Sequence, residues 1–103
     1  MMQMMAKAGQ FKSKMEELRT RVESTVVEGS ASGGAVKCQV KARQLISLDI
    51  DPSLVNAEEK DLLEDMVTAA VNNALQNAEK LMSDETKALM RSLGLPENID
   101  LPF

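Results

Sequence analysis

A glycine-rich stretch that runs into a lysine, EGSASGGAVKCQVKARQ at residues 28–44, is the first candidate for chemistry. Loops of this composition can cradle phosphate, but a nucleotide-binding P-loop needs glycine followed directly by lysine and then serine or threonine at a helix start. Here Gly34 is followed by Ala35, and Lys37 belongs to residues that alternate like a strand. The stretch therefore predicts a loop between two strands. Its flexible or positive-φ backbone would come from Gly29, Gly33 and Gly34.

Side chains suited to catalysis or metal binding are few. The chain has no histidine and one cysteine, Cys38, which excludes Cys–His pairs, histidine bases and histidine metal ligands. Cys38 falls on the inward side of a predicted strand, where we expect a small buried hydrophobe. The acidic run Glu58–Asp65 suits the positive end of a helix dipole better than a carboxylate metal site. We expect no enzyme activity, no cofactor and no metal site.

Basic residues near the amino terminus are the strongest candidates for a function. Apolar residues recur there at alternating steps of three and four, which predicts an amphipathic helix over residues 1–25. The stripe consists of Met1, Met4, Ala8, Phe11, Met15, Leu18, Val22 and Thr25. At the e and g positions beside it stand Lys7, Lys12, Lys14, Arg19 and Arg21.

Like charges at e and g oppose pairing of this helix with a second copy of itself. We therefore expect the helix to pack on another element and to present a basic border to an anion. A solvated face and ion pairs with the acidic run Glu58–Asp65 are alternatives that spacing leaves open. Lys37 and Lys41, which lie on the same solvent-facing side of a predicted strand, could extend the border.

Three short strands are predicted within residues 26–51, joined as an antiparallel meander with one buried face. The side chains expected to point inward are Val36, Cys38, Val40, Ile46, Leu48 and Ile50. Asp51-Pro52 ends the sheet, and Asn56 offers an N-cap for a long helix over roughly residues 57–82. Ser83 is expected to cap a further helical segment that reaches residue 93, and residues 94–103 form a tail.

The predicted order is α-β-β-β-α, an α+β fold in a single domain over residues 1–103. One sheet of three strands leaves apolar surface uncovered, so we expect a dimer. The net charge is −4, yet residues 1–21 carry +3 and residues 44–66 carry −6. We expect neither a signal peptide nor a membrane span, and a cytoplasmic location.

Three blocks of the sequence resemble the YbaB/EbfC family of bacterial nucleoid-associated proteins: EGSASGGAVKCQVKA, LDIDPSLV and EEKDLLEDMVTAAVNNAL, with a closing LPF. The resemblance covers nearly the whole chain. It implies a homodimer in which paired helices project like tweezers from a shared sheet. In two places the chain departs from the family pattern. A shorter hairpin with KARQ replaces the common Asn-Gly turn, and we expect a few glycine-rich residues to be missing before the amino terminus.

The family also implies binding of double-stranded DNA as a homodimer in the nucleoid, with little or no sequence preference and an effect on nucleoid organisation and gene expression. Applied to the basic residues of the first and last helices, it predicts DNA contacts from Lys7, Lys12, Lys14, Arg19, Arg21, Lys87 and Arg91. The competing hypothesis is a protein–protein interaction module that uses the apolar helix surface and the acidic run. Neither hypothesis involves a membrane or a small-molecule substrate.

Overall fold

The computed structural model describes residues 2–95, and of residues 2–5 it describes the backbone alone. The element order is α1 (Met2–Glu23), β1 (Val27–Ala31), β2 (Val36–Lys41), β3 (Gln44–Ile50) and α2 (Lys60–Ser92). This order confirms the predicted α+β class. The side chains of Met1 and Met4 in the helical stripe, and most of the predicted tail with its closing LPF, lie outside the described residues.

The three strands form one antiparallel sheet in the order β1-β2-β3. Cys38 of β2 is paired with Gly29 of β1 and with Leu48 of β3. A bulge in β3 shifts the register, so that Leu45 is paired with Val40 and Ile46 is the extra residue. The predicted inward position of Ile46 is therefore wrong, because the bulge leaves Ile46 without a partner on β2 and Leu45 takes the paired position.

Helix α2 covers β1 and β2 but leaves β3 largely open. Val36, Cys38 and Val40 form the buried core with Ala70 and Ala74 of α2. The Cys38 thiol donates a hydrogen bond to the Ala70 carbonyl at 3.3 Å, which confirms its buried role. On β3, by contrast, Leu45, Ile46 and Leu48 are between 42% and 49% exposed.

Gly29 has a different role from the one expected of it. It lies inside β1, and a Cβ atom there would stand 2.3 Å from the Ala74 nitrogen and 2.6 Å from the Ala70 carbonyl oxygen. The strand can therefore approach the α2 backbone only because this residue has no side chain. Gly33 and Gly34 do adopt the predicted positive φ, at 67° and 93°, in the turn between β1 and β2.

Side chains of α2 also hold the outer edge of β1. The Ser30 N–H donates to Asn73 Oδ1 at 3.0 Å, and Asn77 Nδ2 donates to the Glu28 carbonyl at 2.9 Å. These bonds satisfy backbone groups that an edge strand would otherwise offer to another chain. The outer edge of β3 makes no such bond to another element within residues 2–95.

The connection from the sheet to α2 is built from polar side chains that accept backbone N–H groups. Asp51 accepts the Ser53 N–H at 3.0 Å, and Asn56 accepts the Glu58 N–H at 3.0 Å just before α2 begins. Hydrogen bonds from the N–H and then the hydroxyl of Ser53 lower the pKa of Asp51 below its ordinary value.

Helix α2 runs without interruption to Ser92, so the expected second segment capped by Ser83 does not exist. The helix ends in a Schellman motif, in which the Leu95 N–H donates to the Met90 carbonyl at 2.8 Å and Gly94 has a φ of 70°. At 33 residues its axis is about 50 Å long. None of the helices in residues 2–95 combines the length and apolarity needed to cross a membrane.

Helix α1 packs against α2, and its Arg21 pairs with Glu85 in the second half of that helix. The predicted apolar stripe is confirmed where it meets α2, because Met15 and Leu18 are buried and Phe11 and Val22 are half-buried. On the α2 side the buried residues are Thr86 and Met90, and the Thr86 hydroxyl donates to the Met82 carbonyl at 2.7 Å. We call α1 together with residues 81–92 of α2 the helical arm.

Candidate nucleic-acid interface

All five basic residues predicted on the first helix lie exposed on α1: Lys7, Lys12, Lys14, Arg19 and Arg21. They flank the stripe that packs against α2, because positions e and g border the buried positions a and d. From Lys7 to Arg21 the helix rises by about 21 Å. A basic border of this length could span several phosphates of one nucleic-acid strand.

The two predicted residues of the last helix lie on the same arm. Lys87 and Arg91 are exposed on α2, close in sequence to Thr86 and Met90. Because Thr86 and Met90 are buried in the part of α2 that packs against α1, the structure brings the basic residues of both helices onto one arm. The basic residues, which are separated from the acidic run along the sequence, are thus also separated from it in the structure.

Among the ion pairs within residues 2–95 are those of Lys14 and Arg21, both predicted site residues. Lys14 Nζ lies 3.6 Å from the carboxylate of Glu17 one turn later, and both side chains are well exposed. Arg21 Nη2 lies 2.7 Å from Glu85 Oε2 and joins α1 to α2. Arg21 therefore has a structural contact within the arm, and an exposed pair of this kind contributes about 0.2–1 kcal/mol.

The acidic run at the start of α2 makes an ion pair of its own. Lys60 Nζ lies 3.2 Å from Glu64 Oε1 one helical turn later, as expected for an exposed i,i+4 pair. The observed pairs of Lys14 and Arg21 thus go to Glu17 and Glu85, rather than to the run Glu58–Asp65. Asp61 stands in the first turn of α2, where the helix dipole favours negative charge, and Glu58 and Glu59 lie just before the helix begins.

A groove of about 790 Å³ lies where the arm meets the sheet. Its apolar lining includes Val22, Val40, Leu75, Met82 and Met90. Four basic residues from three elements also line it: Arg19 of α1, Lys41 and Arg43 of the β2–β3 hairpin, and Lys87 of α2. The hairpin therefore brings two further cations next to two of the predicted site residues.

Arg43 is a residue that sequence reasoning missed, and its backbone is unusual. The hairpin closes with Lys41 paired to Gln44, so Ala42 and Arg43 alone form the turn. Their φ angles are 51° and 64°, the type I′ pattern for which Asn-Gly is favoured. A sequence signal was present, because KARQ joins two alternating runs through two residues. The hairpin was expected at KARQ, but Arg43 was not among the predicted DNA contacts because those were sought on the helices.

Lys37 does not join this cluster. It lies on the other side of the meander, in a small depression of about 260 Å³ lined also by Gln39, Ser47 and Asp49. Gln39 Nε2 donates to Glu28 Oε1 at 3.2 Å, and Ser47 donates to Gln39 Oε1 at 3.1 Å. A polar ladder thus runs across the face of the sheet opposite α2.

Comparison with known proteins identifies the family of this chain. The model of the YbaB/EbfC DNA-binding family matches residues 1–93. The chain is 42% identical to a nucleoid-associated protein of Afipia carboxidovorans over 90% of both chains. It is 40% identical to a nucleoid-associated protein of Bordetella avium, over 97% of this chain and 93% of the relative. It is 38% identical to a nucleoid-associated protein of Rhodopseudomonas palustris, over 95% and 93%.

Proposed function

We propose that this chain, which belongs to the YbaB/EbfC DNA-binding family, binds double-stranded DNA through the basic border of its helical arm. The observation that carries the proposal is the gathering of the exposed basic residues of α1 with Lys87 and Arg91 of α2 on one arm. The relatives named nucleoid-associated proteins support a role in the nucleoid, within the cytoplasm. There the protein would affect nucleoid organisation and gene expression.

Segregated charge explains how a chain with a net charge of −4 can bind a polyanion. Acidic residues are concentrated at the start of α2, and the basic border lies on the arm at its other end. At physiological ionic strength charges are screened beyond about 8 Å, so phosphates near the arm respond mainly to the local cations. Contacts with phosphates carry no base information, and we therefore propose little or no sequence preference.

Salt dependence is the test of this proposal. Binding to unrelated duplexes should weaken steeply with salt, because each neutralised phosphate releases counterions. The variant Lys12→Glu with Arg19→Glu should lower both the affinity and the salt slope. A matched variant, Lys37→Glu with Lys60→Glu, makes the same charge change away from the arm and should retain most of the binding. Equal losses in the two variants would refute the placement of the site on the arm.

We further propose that the protein acts as a homodimer joined along β3. The outer edge of β1 is satisfied by Asn73 and Asn77, whereas the outer edge of β3 has no bond to another element within residues 2–95. Its exposed apolar side chains also lie beyond the cover of α2. Antiparallel pairing of two β3 strands about a two-fold axis would continue the sheet and double the basic surface.

Sedimentation at fixed protein concentration tests the dimer. Leu48→Lys places a charge on the exposed part of β3 and should convert the dimer to monomer. Val55→Lys removes an apolar side chain that is 67% exposed outside the sheet, and it should leave the mass unchanged. A monomeric wild-type protein, or a Leu48→Lys variant that remains dimeric, would contradict pairing along β3.

A protein–protein interaction module is the second candidate function. It is favoured by Val55 and Leu62, which are 67% and 48% exposed and flank the acidic residues Glu58, Glu59 and Asp61. Exposed apolar residues next to carboxylates in the sequence suit a basic protein partner better than DNA. The DNA titration separates the two functions, because the absence of any complex at micromolar protein and low salt would favour the protein partner.

A further inference from the structure

The β2–β3 hairpin tip combines strain with positive charge. Ala42 and Arg43 both have positive φ, a conformation that L-residues with a side chain rarely adopt. Glycine or asparagine would relieve this strain, as in the common Asn-Gly turn. Strained residues of this kind are concentrated at functional sites, where the conformation directs a side chain. The tip therefore carries an arginine at a turn position that favours glycine or asparagine.

The surroundings of the tip indicate what this arginine binds. Four cations and two carboxylates, Glu23 and Glu79, line the groove beside the tip, so the local balance is +2 on a chain with a net charge of −4. Lys41, Arg43 and Lys87 are exposed and have no ion-pair partner within residues 2–95. Exposed basic residues that the hairpin and α2 contribute to one groove suit an extended anion with several charges, such as a phosphate backbone.

We propose that the β2–β3 hairpin is a second DNA-contact element, in which Arg43 and Lys41 bind backbone phosphates beside Lys87 of the arm. This inference rests on the proposed DNA binding and extends the contact from two helices to the sheet. The type I′ turn holds Arg43 at the tip of a narrow two-residue connection, and the guanidinium donates to phosphate oxygens in bidentate fashion. Because the contact is to phosphate, it adds affinity without sequence preference.

The test is the salt dependence of binding to two unrelated duplexes by Arg43→Gln, with Lys37→Gln as the matched control. Each variant removes one positive charge from the sheet, but Lys37 lies outside the groove. We expect Arg43→Gln to lower the slope of log K against log salt by about 0.9 per protomer and to weaken binding equally on both duplexes. Lys37→Gln should leave the slope unchanged.

Two further measurements separate contact from folding and from the arm. Arg43→Lys keeps the charge and should retain the slope, and the far-UV circular dichroism of all three variants should match the wild type. Equal salt slopes for Arg43→Gln and Lys37→Gln would overturn the hairpin contact. In that case, a loss of binding in the variant Lys12→Glu with Arg19→Glu would still support the proposed function. A wild-type protein that binds neither duplex overturns both.

Discussion

Adding a single methyl group at Gly29 tests how the helix and the sheet are held together. In Gly29→Ala the new Cβ would stand 2.3 Å from the Ala74 nitrogen and 2.6 Å from the Ala70 carbonyl oxygen, whereas ordinary contacts begin near 3.4 Å. Both neighbours are backbone atoms of α2, so no side chain can rotate away. The helix must therefore recede from β1 by about 1 Å, and close packing makes such a gap costly.

The magnitude follows from what this displacement disturbs. Overpacking of a well-packed core costs about 1–3 kcal/mol. The hydrogen bonds from Ser30 to Asn73 and from Asn77 to Glu28 cross the same contact, and losing each costs about 1 kcal/mol. We therefore expect Gly29→Ala to lower the free energy of unfolding by about 3–5 kcal/mol. That is a large fraction of the total for a domain of this size, which is about 5–15 kcal/mol.

Urea unfolding followed by far-UV circular dichroism measures the effect, because the chain has neither tryptophan nor tyrosine for fluorescence. Protein concentration must be held constant, since association would contribute to stability. Gly9→Ala is the matched control, because nothing lies within 4 Å of a Cβ at this helical glycine. It should stabilise the protein by about 0.5–1 kcal/mol. If Gly29→Ala unfolds at the wild-type urea midpoint, the close-approach explanation is wrong.

Two further predictions concern the turn and the start of the loop that leads to α2. Ala42→Asn with Arg43→Gly should raise the free energy of unfolding by about 1 kcal/mol or more, measured in urea, because both new residues tolerate positive φ; an unchanged midpoint would contradict the strain. Asp51→Ala should be less stable than the wild type at neutral pH. Because the folded-state pKa of Asp51 is lowered, its contribution is fully present above the unfolded value of about 3.9 and is lost as the pH falls through the folded value. The difference between the two proteins should therefore shrink in acid, and a difference that grows there would refute this assignment.

Periodicity predicted most of the fold because each element carries a clear pattern. The a/d stripe located Met15 and Leu18, and strict alternation located Val36, Cys38 and Val40, which are the most deeply buried residues of the sheet. The bulge at Ile46 escaped prediction because it breaks the alternation without leaving a glycine or proline behind. The role of Gly29 escaped for another reason, since a contact with α2 depends on residues some forty positions later.

The candidate site was harder to predict than the fold. The exposed basic residues of α1 follow from the helical stripe alone, but their meeting with Lys87 and Arg91 depends on how α1 packs against α2. The charge pattern of α1 could not predict the ion pair of Arg21, because its partner Glu85 lies in a distant part of the chain. Arg43 could be assigned only after the register of the hairpin placed it in a two-residue turn.

The burial of Cys38 means that the reactivity of its thiol reports how often the sheet and α2 separate. This thiol is the only one in the protein, is 2% exposed, and faces the Ala70 carbonyl across the interface between sheet and helix. An alkylating reagent can reach it only in molecules where α2 has lifted from β2. The labelling rate relative to a free thiol thus reports the fraction of open molecules, with a tenfold slowing for each 1.4 kcal/mol of opening free energy. Labelling in the presence and absence of DNA would show whether the proposed DNA binding lowers the fraction of molecules in which α2 has lifted from β2.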